Sequence, residues 1–219
     1  MPPVSKKIID EYITVKQTAF INFIKYIEKL KGLRKLEKTT AYDYILSLLA
    51  PNVDARIFEI VSYSILKYYY HNRIVYFGFE LDDIQEESLK LYKTGRTNAN
   101  DGGIDFVMKP LGRFFQVTET TDVRKYFLDI DKIEKYPITF VIKSDEDINI
   151  LVKKIENKAK EQYSISSIVK RYIDCIEELI NLPILISHLK EVVENGYLGN
   201  VLEEIIKQSK VEFNYEEFS

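Results

Sequence analysis

Apolar residues recur at three- and four-residue steps over the first part of the chain. From Lys6 to about Leu30 the positions Ile8, Ile9, Tyr12, Ile13, Ala19, Phe20, Phe23, Ile24 and Ile27 mark one face. That spacing predicts an amphipathic helix, with a break near Thr18 and a C-cap at Gly32. Thr40 with Asp43 three residues later resembles a capping box, and Tyr44, Ile45, Leu48 and Leu49 then predict a short helix ending at Pro51. Asn52 or Asp54 caps the next helix, through Ile57, Phe58, Ile60, Val61, Ile65, Leu66 and Tyr69, and Asn72 ends it.

Beyond this point the period shortens. Ile74 to Phe77 is short, β-branched and aromatic, hence a strand, and the polar segment Glu80 to Lys93 has room for one more helix. Thr94 to Gly103 is the longest loop-forming stretch. Ile104 to Lys109 and Arg113 to Thr120, joined by Pro110, Leu111 and Gly112, predict a β-hairpin. Tyr136 to Ile142 predicts a buried strand. From Asp147 onward the pattern reads as helical, through Ile150, Leu151, Ile155, Ile168, Val169, Tyr172, Ile173 and Ile176, with an interruption at Pro183 and a frayed acidic end over the last seventeen residues.

The order helices, strand, hairpin, strand, helices predicts an α/β fold: a small mixed sheet flanked by helices, with helical extensions at both ends. Residues 1–51 form the N-terminal helical region, 52–146 the α/β core and 147–219 the C-terminal helical region, together one domain. The 219-residue length agrees with that.

Composition narrows the function. Thirty-one Lys and Arg against thirty-four Asp and Glu leave a net charge of -3, which argues against a histone-like or ribosomal protein. It leaves room for an enzyme that places a few bases locally and needs acids for a metal. One cysteine, Cys175, excludes a disulfide framework, and with His71 and His188 alone beside it a structural zinc site is implausible. No apolar run reaches the roughly 20 residues of a membrane span and the N-terminus is too polar for a signal peptide, so a cytoplasmic protein without membrane contact is expected. The stretch from Gly95 to Gly103 lacks the Gly-Lys-Ser/Thr ending of a phosphate-binding loop, so nucleotide hydrolysis is not expected. The bases from Lys25 to Lys38 read as a solvated helix face, and Tyr68, Tyr69 and Tyr70 as packing residues.

Glycine points to the chemistry. Four of the eight glycines, Gly95, Gly102, Gly103 and Gly112, fall within eighteen residues and bracket Asp105, an acid in an apolar strand. An ionised carboxylate beside a core is costly unless something positive pairs with it. Gln116 is likewise a polar group in an apolar run. With Leu111 and Gly112 as the turn, Asp105 lies opposite Thr118 and diagonal to Gln116, and all three project from one face. Oxygen ligands converging from two strands suit a hard cation, Mg2+, with Mn2+ as a substitute. Arg96, Asn98 and Asn100 in the loop carry side chains able to reach base edges bidentately, hence candidate DNA contacts.

The run Asp101-Gly-Gly-Ile-Asp105-Phe-Val, a turn, then Phe114-Phe-Gln116-Val-Thr118 resembles the core of the PD-(D/E)XK nuclease superfamily. The Gly-Gly-Ile-Asp form with Gln at the second position is similar to type II restriction endonucleases. The resemblance implies a restriction-endonuclease-like core and a Mg2+-dependent endonuclease acting on double-stranded DNA. It implies metal ligation by Asp105, Gln116, the backbone carbonyl of Val117 and Glu59, an acid in the helix before the sheet. Thr118 or Glu119 would position the attacking water. A homodimer built from the terminal helices and a cognate DNA methyltransferase are the implied partners. The motif covers about seventeen residues and departs at one point: Thr118 stands where the family carries Lys. Lys125 or Arg124 leaning back, a bulge swinging Glu119 inward, or an inactive subunit that keeps the fold are the alternatives this leaves.

Overall fold

The structure, a computed structural model, describes residues 3–31, 38–95 and 104–214. The expected cap at Gly32 and the candidate residues Arg96, Asn98, Asn100, Asp101, Gly102 and Gly103 lie outside the described residues. Helix α1 (Pro3–Lys31) runs without a break at Thr18; it is exposed from Lys6 to Ala19 and joins the core only from Phe20 onward. Helix α2 spans Lys38–Ser47, so Thr40 lies inside it rather than at a cap. Helix α3 (Ala55–Tyr70) begins where expected: the Asp54 carboxylate accepts from the Arg56 amide at 2.9 Å.

A five-stranded sheet forms the centre, in the order β3 (Lys90–Lys93), β4 (Phe106–Lys109), β5 (Arg113–Thr118), β6 (Ile138–Ile142), β7 (Ile176–Ile180). Strands β3, β4 and β5 run antiparallel, whereas β5, β6 and β7 run parallel. The two parallel connections pass through α4 (Val123–Lys132) and through α5 (Ile148–Gln162) with α6 (Ser166–Ile173). These helices pack Tyr126, Phe127, Ile130 and Ile155 on one face of the sheet, against Ile138 and Phe140. The opposite face, with Leu91, Phe106, Phe115 and Val141, lies under α1, α2, α3, α7 (Leu182–Glu194) and α8 (Leu198–Glu212). Strand β6 is buried at all five positions, as a parallel strand covered on both faces requires. A second sheet has two antiparallel strands, β1 (Ile74–Phe77) and β2 (Gln85–Ser88).

The expected α/β class, with a mixed sheet flanked by helices and helical ends, is what the chain adopts. Several element assignments differ. Glu80 to Lys93 contains only a single 3-10 turn, Leu81–Asp83, followed by β2 and β3. Leu89, Leu91 and Lys93 point inward while Lys90 and Tyr92 point outward, a period of two. Ile176–Ile180 is strand β7 rather than helix, because its backbone completes the parallel ladder on β6. Arg113 reaches across to Glu177 and Glu178 from the far side of that ladder. Pro183 opens α7 in its first turn, after Asn181, whose side chain accepts from the Ile184 amide at 3.0 Å. The C-terminal stretch is not frayed as far as Glu212: α8 buries Val201, Leu202, Ile205 and Ser209. Among the described residues no helix is long and apolar enough to cross a membrane.

Gly78 closes the turn after β1, where a Cβ would stand 2.3 Å from the Asp83 carbonyl oxygen. Both groups belong to the backbone, so neither yields by rotating a side chain. Gly78→Ala is expected to destabilise the β1–β2 hairpin by about 1–3 kcal/mol. Hydrogen exchange should show faster exchange at amides 74–88 with the central sheet unchanged; unaltered protection there would contradict the close approach.

Candidate functional site

The ends of β3, β5 and β6 and the start of β4 meet at one edge of the sheet, the carboxyl end of its parallel strands. That edge is where ligand sites form in open α/β sheets. Asp105 sits there, immediately before β4. Phe106 stands opposite Phe115, so the hairpin register is shifted from the expected one, and the turn falls at Pro110 and Leu111 rather than at Leu111 and Gly112. Asp105 is therefore not opposite Thr118.

The alternation of faces also breaks at Asp105. Ile104 belongs to the cluster under α4 and α5, whereas Phe106, only two residues on, belongs to the cluster under α3 and α8. The Asp105 amide donates to the Phe115 carbonyl at 3.1 Å, although Phe115 is already the partner of Phe106. Two residues of one strand thus stand against one of the next, as in a β-bulge. The result turns the Asp105 side chain toward α3. One carboxylate oxygen accepts from the Val117 amide at 2.6 Å.

Above it, Glu59 projects from the second turn of α3 and meets the Lys93 ammonium at 2.6 Å. The Lys93 Nζ also lies 3.8 Å from a Glu212 carboxylate oxygen at the end of α8, and donates to the Gly95 carbonyl at 2.8 Å. All three side chains are buried: Lys93 is 8 % exposed in both pairs, Glu59 6 % and Glu212 5 %. Burial, and after it the Glu59 charge, push the Asp105 carboxyl up to about 7, against the pull of the Val117 amide and of Lys93 and Lys125. The ionised form of Asp105 is thus disfavoured by its burial and by the acid beside it.

One strand over, Glu119 receives the Lys143 ammonium at 2.6 Å, and Lys143 also donates to the Val53 carbonyl at 2.7 Å. Lys143 is 4 % exposed, Glu119 45 %. Val117 packs on the α3 face, so alternation carries Glu119 to that face without a bulge of its own. The irregularity that the missing lysine suggested for Glu119 belongs to Asp105 instead.

Gln116 and Thr118 are not brought to Asp105. Phe114 packs on the α4 face, and Gln116 and Thr118 follow it by alternation. Gln116 is buried, and among the described residues its Oε1 has no hydrogen-bond partner. The Thr118 hydroxyl accepts from the Thr120 amide at 3.2 Å and so stays in its own turn. The expectation that Asp105, Gln116 and Thr118 share one face fails because it assumed unbroken alternation and another register. Arg124 is held by Asp122 at 2.8 Å, while Lys125 lies near enough to bear on Asp105. Sequence reading missed Lys93, Lys143 and Glu212. For Lys93 a signal existed: it continues the inward series Leu89, Leu91.

The chain is thus an α/β protein with an acid–lysine cluster at the carboxyl edge of a mixed sheet. It matches no family model, no curated protein and no solved structure.

A carboxyl whose folded pKa is raised keeps its proton to higher pH than in the unfolded chain. Its contribution to stability is full below about pH 4 and is lost as the pH rises toward about 7. Asp105→Asn keeps an acceptor for the Val117 amide and removes that loss. The variant should be more heat-stable than the parent, with the gain larger at pH 8 than at pH 5 and about 2–4 °C for each kcal/mol recovered. Thermal unfolding at both values checks this, and an equal gain at each would count against a raised Asp105.

Proposed function

We propose that this chain is a Mg2+-dependent endonuclease that hydrolyses phosphodiester bonds in double-stranded DNA, of the type II restriction kind. What carries the proposal is the placement of Asp105, turned by a break in its strand onto the same face as Glu59. The run Asp101-Gly-Gly-Ile-Asp105 followed by a hairpin supports it, as does the sheet with its helix bearing Glu59.

The residues at this edge suit a divalent cation in one respect. The Glu59 charge adds to the cost of ionising buried Asp105, and a bound cation relieves that cost. Among the described residues no three His, Cys, Asp or Glu side chains gather as a metal-holding group. Mg2+ does not need such a cage, since it is commonly held by one or two carboxylates together with substrate phosphates and water. Asp105 and Glu59 would hold it, and when bound it would polarise the phosphodiester and lower the pKa of a water. The Val117 amide fixes the Asp105 carboxylate, and α3 fixes Glu59. Glu119, partly open to solvent, is the acid available to orient a water. The homodimer and the cognate DNA methyltransferase belong to the same proposal.

A second reading, a catalytically silent DNA-binding or partner subunit that keeps the nuclease fold, is favoured by two observations. Thr118 occupies the motif-lysine position, and Lys93 already engages Glu59.

The purified chain, given mixed-sequence DNA with Mg2+ or Mn2+, is expected to cut at defined sites. Asp105→Ala should lower cutting by about 10³-fold or more, in line with loss of a group acting at the reacting centre. Thr118→Val, on the opposite face, should stay within about threefold of the parent. DNA that is bound yet never cut across diverse sequences would favour the silent subunit, and undiminished cutting by Asp105→Ala would remove Asp105 from the site.

A further inference from the structure

An ammonium buried as deeply as that of Lys93 costs several kcal/mol unless acids surround it. Lys143, buried to a similar depth, meets this demand with one acid, Glu119. Lys93 is different. Glu59 lies at 2.6 Å, Glu212 at 3.8 Å, and Asp105 is close enough to feel both Lys93 and Glu59. Two acids, from α3 and α8, thus meet one lysine from β3, and its charge also reaches Asp105 at the start of β4. A structural brace between β3 and α3 needs only the acid on α3.

We propose that Lys93 is the tethered cation of this site, holding the Glu59 carboxylate that a divalent ion would otherwise engage and competing with that ion for the acid pair. It supplies from β3 the positive charge that Thr118 cannot supply from β5. This rests on the metal-nuclease reading above. Lys93 acts through Glu59 and is therefore a positioning residue.

The competition has a signature that a purely structural role lacks. Neutralising Lys93 leaves Glu59 and Asp105 with less positive charge nearby, so a divalent ion binds more tightly while the protein itself becomes less stable. Ordinary damage to a site weakens both.

Mn2+ binding to the full chain without DNA, followed by electron paramagnetic resonance, tests this on the parent, Lys93→Gln, Lys93→Arg and Asp105→Asn. Lys93→Gln is expected to bind Mn2+ about tenfold more tightly than the parent, as removal of a nearby like charge requires. Lys93→Arg, which keeps the charge, should stay within about threefold of the parent. Asp105→Asn should lose the site. Should Lys93→Gln fail to fold, Glu212→Gln provides the opposite perturbation: it removes the second acid, draws Lys93 more fully onto Glu59, and should weaken Mn2+ binding by about threefold or more.

Unchanged or weaker binding by folded Lys93→Gln, with binding still abolished in Asp105→Asn, overturns the role of Lys93 and leaves the metal site standing. The same holds for unchanged binding in Glu212→Gln. Failure of the folded parent and of folded Lys93→Gln to bind any Mn2+ overturns the metal reading, and this inference with it.

Discussion

The buried ammonium of Lys93 sets conditions that the surrounding elements must satisfy together. An uncompensated charge at that depth would be severely destabilising, so β3 can dock only where Glu59 of α3 is already in reach. Glu212 extends the requirement to the last turn of α8. Three elements separated widely along the chain are thereby held to one point, with the carbonyl of Gly95 taking a further ammonium hydrogen. Apolar packing alone would tolerate sliding of α3 along the sheet, because Phe58, Ile65 and Leu66 are interchangeable in kind. A short ion pair is not tolerant in this way, and it fixes the level at which α3 crosses the strands.

Asp105 answers the same electrostatic logic by a backbone route. Had the strand alternated regularly, its carboxylate would have pointed at the face where Phe114, Phe140 and Tyr126 pack. The side chains packed there are apolar. Doubling Asp105 and Phe106 against Phe115 instead delivers the carboxylate to the Val117 amide and into the field of Lys93 and Lys125. The irregularity costs one rung of the ladder, and the side chain takes over the acceptor role that a strand carbonyl would have filled. Gln116 had no such escape: it stays on the apolar face, its Oε1 unpaired among the described residues. A neutral amide can remain there at a cost of about 1–3 kcal/mol, whereas an unpaired ionised acid costs far more.

The periodic parts of this fold are readable in the chain because burial writes them directly. The face of α3, the run Ile138–Ile142 and the hairpin turn at Pro110 to Gly112 each carry their own local signal. Elements defined by their neighbours are less legible. Ile176–Ile180 has a spacing equally suited to a helix and becomes a strand because β6 offers an unpaired edge. The helix α4 did carry a signal, with Asp122 as its cap and Val123, Tyr126, Phe127 and Ile130 at helical spacing, but it is short and lies between two strands. At the site, Asp105 stands out in sequence because an acid in an apolar run is anomalous. The lysine whose charge reaches it does not, since Lys93 ends a polar stretch whose period of two is easily taken for helix. The reason is physical: alternation can be read from one strand, whereas a bulge depends on the register between two.

Mixed topology makes such a site economical to build. In a purely antiparallel sheet the ends of successive strands would fall at alternating edges. Here β5 and β6 end together, while β3 runs parallel to β5 with the antiparallel β4 between them. Lys93, Glu119 and Lys143 are therefore strand-end residues of one edge, and Asp105 joins them because β4 starts where its neighbours stop. Three strand spacings separate β3 from β6, about 14 Å, which is too far for the two lysines to share an acid. Each thus has its own, and the two acid–lysine pairs flank Asp105 instead of neutralising it. The Lys143 pair is fastened to the α3 entrance through the Val53 carbonyl and leaves Glu119 half open, whereas the Lys93 pair is sealed beneath α3 and α8. One side of Asp105 is thereby buried and the other lies beside an acid half open to solvent.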